Sequence, residues 1–238
     1  MKNKIRNFYK LLPTIFLITL SIVVIITAIY SLRYVFLGAD GIMFLADTDD
    51  LLGLISHQKS DFWHNFALRQ KPIYHKNETI LLAHIIGVSI AFIAGIFQLS
   101  PSVRKQSITI HRNIGYLYII SAVIGLSFGG YISFALPMVG GLLAIIPNII
   151  GSSLGIFFIL IALICLWKKQ YLTHGKWMLR SYAILFTLLT LYFLIGFFAL
   201  CRLPADIGYK IAHLTCLPIN LIIVEIIINK KRLYAVFK

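Results

Sequence analysis

Apolar positions in this chain do not alternate, and they do not trace one face of a helix. They run in unbroken blocks at about 13–35, 80–100, 113–135, 148–167, 179–200 and 211–229. The hydrocarbon core of a bilayer is about 30 Å thick, which roughly 20 helical residues cross at 1.5 Å each. Each block meets that length. No charged residue lies between Arg112 and Lys168, a stretch long enough for two crossings, with Pro137 and Gly140-Gly141 as the turn between them. The pattern predicts an all-α fold, a polytopic transmembrane helical bundle of six spans. The first block runs from Leu11 to Phe36 with few interruptions. That exceeds the roughly 7–15 apolar residues of a signal peptide, so residues 1–36 read as a retained N-terminal transmembrane anchor.

Polar residues gather in one segment, 37–79, expected as an extracytoplasmic loop of short amphipathic pieces and turns. Its His57, His64 and His75 lie near Asp61, but their spacings of 7 and 11 match no zinc signature, and solvated loop histidines are the expectation. Phe62, Trp63 and Phe66 point to a membrane-interface position. Asn77-Glu78-Thr79 fits a glycosylation sequon but sits against the next span. Residues 80–229 form a five-span core, and 230–238 a basic cytoplasmic tail.

Composition agrees: 59% of residues are hydrophobic, and mean hydropathy is +0.88. The formal net charge of +14 changes the picture only through its placement. Lys2, Lys4, Arg6 and Lys10 precede the first block; Arg104, Lys105 and Arg112 separate the second and third. Lys168, Lys169, Lys176 and Arg180 surround the entrance to the fifth, and Lys230, Lys231, Arg232 and Lys238 follow the sixth. With six spans all of these share one side, whereas Asp40, Asp47, Asp49, Asp50, Asp61, Glu78 and Asp206 share the other. Basic loops stay in the cytoplasm, so both termini are expected there, in a bacterial inner membrane. The same excess makes anionic membrane lipids partners and gives no nucleic-acid surface. Cys165, Cys201 and Cys216 form no framework and read as packing residues.

Within the blocks, small and polar residues recur at helical spacing. His84, Gly87, Ala91, Gly95 and Gln98 make one row; His111, Gly115, Tyr118, Ala122 and Gly125 a second; His213, Cys216, Asn220 and Val224 a third. Such rows, with the Gly151–Gly155 pair, are what helices use to pack in lipid, and that accounts for the glycines. The histidines form two layers. His84 and His213 fall near the outer ends of their spans; His111 and His174 fall at the inner ends of theirs, roughly 20 Å away. Two imidazoles at one depth on different helices are the arrangement that ligates haem b iron. Glycine would make room for the ring, and Arg112, Lys176 or Arg180 would meet the propionates. Glu225 reads as a snorkelling carboxylate paired with Arg180 or a C-terminal lysine.

The stretches "HIIGVSIAFIAGIFQLSPSVRKQSITIHRNIGYLYIISAVIG" and "HGKWMLRSYAILFTLLTLY", with the ending "LPINLIIVE", resemble a family of predicted membrane proteins, domain of unknown function 2306. The likeness spans about residues 80–228. It rests on His84, Gly95, Gln98, His111, Arg112, Gly115, Tyr118, His174, Trp177, Met178, Arg180, Ser181, Tyr182, Asn220, Leu221 and Glu225. The resemblance implies a multi-span membrane protein and no particular chemistry. Relative to the family, this chain has Tyr192 where an arginine is usual and His213 where a tryptophan is usual. The inner pair, His111 with His174, therefore fits the family better than the outer one.

Three readings stay open. One is a b-type haem protein passing electrons across the membrane or to a quinone or redox partner, through His111, His174, His84 and His213. Another is a non-redox carrier or receptor with a polar cytoplasmic-side pocket for an anion, headgroup or small molecule. That pocket would use His111, Arg112, His174, Arg180, Glu225, Gln98, Tyr118 and Asn220. The third is a structural or assembly protein whose polar residues only lock helices together. No nucleotide motif, HExxH or nucleophile–base pair marks an enzyme.

Overall fold

The computed structural model describes residues 18–45, 47, 49, 51, 53, 61–135 and 141–230. His57, Asp50, the Pro137–Gly140 turn, the N-terminal bases and the tail beyond Lys230 lie outside the described residues. Among those described there is no strand. The chain runs through α1 (18–31), α2 (Arg33–Leu37), a 3-10 helix (Gly38–Leu45), α3 (Phe62–Lys76) and α4 (Glu78–Leu99). It continues through α5 (Pro101–Gln106), α6 (Ile108–Ala135), α7 (Leu142–Trp167), α8 (Tyr171–Leu185), α9 (Thr187–Leu200) and α10 (Ala205–Asn229).

Among the described residues five stretches are long and apolar enough to cross a membrane: Ile18–Phe44, Glu78–Leu99, Ile108–Ala135, Leu142–Trp167 and Ala205–Asn229. The stretch expected as one helix at 179–200 is a pair: α8 and α9 meet at Phe186 and bend by 43°, a sixth candidate span if the pair crosses as one. No proline or glycine causes the bend. Thr187 turns its hydroxyl onto the Ile184 carbonyl, and Asn220 of α10 donates its amide to the Ala183 carbonyl at 3.3 Å. Side-chain donors thus serve carbonyls at the break that a continuous ladder would otherwise occupy.

Helix α6 begins at Ile108, so His111 and Arg112 lie inside its first turns. The α4–α6 contact is the tightest in the bundle. A Cβ on Gly87 would stand 2.9 Å from the Gly125 Cα, and one on Gly125 would stand 2.6 Å from the Val88 nitrogen. Only hydrogen allows that approach. Elsewhere the glycines admit side chains and not backbones: Gly95 receives the Tyr182 ring, and Gly155 receives Leu126 and Ile184. The Gly151–Gly155 pair is therefore a socket for side chains. Two turns close with a non-glycine residue in the left-handed region, Lys169 and Arg202, each at φ 58°. The next amide in each case reaches back five residues, Gln170 to the Cys165 carbonyl and Leu203 to that of Phe198.

The 37–79 segment is more helical than the sequence indicates. Trp63 and Phe66 of α3 are buried against Tyr209 of α10, with ring centroids 5.6 and 5.8 Å away. Both rings are thus packed inside the fold and not spread on its surface. Arg33 ties the 3-10 helix to α2 by donating to the Gly41 carbonyl at 2.9 Å, and Lys71 and His75 of α3 both reach Asp40. Burial pushes the Tyr74 phenol above its ordinary value.

Candidate functional site in the polar layer

Helices α4 and α10 end, and α6 and α8 begin, at the end of the bundle that carries Arg104, Lys105, Lys168, Lys169 and Lys230. Gln98, His111, His174, Arg180 and Glu225 lie on these helices towards that end. Gln98, in the last turn of α4, donates its amide to the His111 carbonyl at 2.7 Å, using the space that Gly115 leaves beside it. His174 and Arg104 lie close enough to act electrostatically on His111.

Their ring nitrogens are in different states. His174 Nδ1 lies 2.8 Å from the Ala162 carbonyl, which can only accept, so Nδ1 carries the hydrogen and Nε2 the lone pair. His111 Nδ1 is shielded from solvent and has no hydrogen-bond partner among the described residues. A polar nitrogen left so costs on the order of 1–3 kcal/mol unless something meets it.

One and a half turns along α8, Arg180 forks onto Glu225 of α10. Its Nε donates to Oε1 at 2.5 Å and Nη2 to Oε2 at 3.0 Å, and the guanidinium lies 4.4 Å over the Trp177 ring. The arginine is mostly covered, while the carboxylate is about half exposed. Of the partners the sequence left open for Glu225, the folded chain uses Arg180. Arg112 lies exposed on α6.

Three further contacts were not legible as roles. Tyr118, nearly fully buried, shares a 2.9 Å hydrogen bond with Ser181. Tyr182 donates to the Phe92 carbonyl at 2.7 Å, and Thr190 donates to Asn220 Oδ1 at 2.7 Å. Ser181 and Tyr182 stand out in the "RSYA" stretch, but nothing in the spacing says which helix each would meet.

The outer histidines are used differently. His84 Nδ1 donates to the Gly125 carbonyl at 2.7 Å, and its ring fills the notch over Gly129. His213 Nδ1 donates to the Tyr209 carbonyl one turn back at 3.1 Å, with its ring 4.2 Å from that of Tyr209. The outer histidines thus have carbonyl partners of their own, one on α6 and the other within α10.

Long apolar helices, bent once and joined through a polar layer at the basic end, define a membrane protein with several transmembrane helices. The chain belongs to the predicted membrane protein family of domain of unknown function 2306, whose family model matches residues 81–228. Neither a curated protein nor a solved structure matches the chain.

Proposed function

We propose that the protein sits in a bacterial inner membrane with both termini in the cytoplasm and binds a small anion between His111 and His174. Placement of the basic residues supports the orientation. The observation that carries the binding reading is His111 Nδ1, a shielded ring nitrogen without a partner among the described residues, in the electrostatic reach of a second imidazole and Arg104. An imidazole that carries hydrogen on that nitrogen presents it to an acceptor, and the surrounding bases favour a negative one. Nothing in this reading requires a reaction, and the role is that of a carrier or receptor.

Haem b is the second reading, favoured by the His174 tautomer: an Nδ1–H held by a carbonyl leaves Nε2 free, which is how metal-ligating histidines are oriented. His111 and His174 would hold the iron, and haem would supply one-electron transfer. Two features weigh against a macrocycle. The space at Gly87, Gly95, Gly115 and Gly129 is taken by Gly125, Tyr182, Gln98 and His84, and Arg180 is already committed to Glu225. Absorption of the purified protein separates the readings. We expect no Soret band after haem addition, and thermal protection by inorganic phosphate that is lost in His111→Ala and in His174→Ala. A Soret band abolished by either substitution establishes haem instead. Absence of both signals leaves the histidines as helix-end packing residues.

A further inference from the structure

The two imidazoles of the inner layer are not equivalent, and the difference constrains what can lie between them. His174 sits near the start of α8, and its Nδ1 is 2.8 Å from the Ala162 carbonyl of α7. A carbonyl only accepts, so the hydrogen cannot leave Nδ1 without breaking this contact between α7 and α8. The neutral ring therefore has only a lone pair left to offer, at Nε2. His111 is held differently. Gln98 of α4 ties down its backbone by donating to its carbonyl at 2.7 Å, while its shielded Nδ1 meets no partner among the described residues. No bond at that nitrogen fixes the tautomer, so Nδ1 can carry the hydrogen when an acceptor arrives.

We propose that the site takes an oxyanion that keeps a hydroxyl of its own, with hydrogenphosphate as the type. The inference rests on the reading that one small anion lies between His111 and His174. Such an anion accepts from His111 Nδ1 and donates to His174 Nε2. An oxyanion without a proton sets an oxygen lone pair against that of Nε2, which repels it and leaves the nitrogen unbonded. Sulfate and dianionic phosphate monoesters are excluded on this ground. The diester phosphate of a lipid headgroup is excluded too, because its phosphorus bears no hydroxyl. The ligand is thus a free inorganic anion and not a lipid.

Thermal midpoints of the detergent-purified full chain, titrated at constant ionic strength, give an apparent Kd for each anion. The titrations run at about pH 8, where an unperturbed imidazole is neutral. There phosphate and arsenate are mainly dianions with a hydroxyl, whereas sulfate and methyl phosphate are dianions without one. We expect phosphate and arsenate to protect, with sulfate and methyl phosphate at least about tenfold weaker, the scale of one polar group left unpaired. His174→Lys replaces the acceptor by a donor and should erase that difference, whereas His174→Gln, whose amide carbonyl still accepts, should retain it. The wild-type comparison decides the matter even where His174→Lys does not fold. Equal protection by phosphate and sulfate overturns the hydroxyl requirement and leaves the anion site standing. Discrimination that persists in His174→Lys overturns the assignment to His174. Protection by none of these anions removes the anion site itself, and this inference with it.

Discussion

At the residue scale the bundle rests on a few positions where a side chain has no room. Gly87 and Gly125 are the sharpest, because the atoms in the way are backbone and cannot rotate aside. Gly125→Leu should therefore force α4 and α6 apart, at a cost of about 1–3 kcal/mol as overpacking usually does. Thermal unfolding in detergent measures it. Gly196 provides the control, since nothing stands within 4 Å of a Cβ there, and Gly196→Ala should leave the midpoint unchanged or raise it. An unchanged midpoint in Gly125→Leu would mean that the α4–α6 contact does not limit stability. Small-residue rows were legible in the sequence because their spacing is helical. Which of them meets a backbone and which a tyrosine was not, since that depends on the facing helix. Gly95 has no value to the sequence reader until Tyr182 is placed over it.

The α8–α9 break shows how an element escapes a composition-based reading. The sequence "AILFTLLTLYF" is continuous hydrocarbon with two threonines and contains neither residue that usually ends a helix. At the bend the Ala183 carbonyl meets an asparagine 34 residues beyond Phe186, on α10, where Pro218 has already removed one backbone donor. Asn220 bonds both Thr190 and the Ala183 carbonyl. Asn220→Leu should lower stability by about 1–2 kcal/mol, since interhelical hydrogen bonds in membranes average about 0.6 kcal/mol with a maximum near 1.7. Thr27→Val is the matched control: that hydroxyl only returns to the Val23 carbonyl of its own helix, and its loss should be silent in the same thermal measurement. The reverse order of effects would place the bend's origin in backbone packing. Helix α3 escaped for another reason. It contains Pro72 and charged residues, and its apolar face is short, so its place depends on tertiary partners: Tyr209 for Trp63 and Phe66, and Asp40 for Lys71 and His75.

Across the whole molecule, the spans were legible because lipid imposes a length and a composition that few other constraints mimic. The polar layer was partly legible, because ionisable groups in apolar surroundings are costly and few. The proposed orientation rests on charge placement, and it has a direct chemical test in the native cysteines. Cys201 is exposed at the turn between α9 and α10, whereas Cys165 and Cys216 are buried. With six crossings, that turn lies on the side opposite Lys169, which is exposed at the turn between α7 and α8. A membrane-impermeant maleimide added to intact cells freed of their outer membrane should label Cys201 and lose its target in Cys201→Ser. In that background Lys169→Cys should stay unlabelled until the inner membrane is opened, because the basic loops are held in the cytoplasm. Labelling of Lys169→Cys from outside, with Cys201 protected, would invert the protein and put the His111–His174 layer on the outer surface. Labelling of both from outside would show that the bent α8–α9 pair re-enters the membrane from one side and does not cross it. The count of crossings would then fall to five, and the two termini would lie on opposite sides.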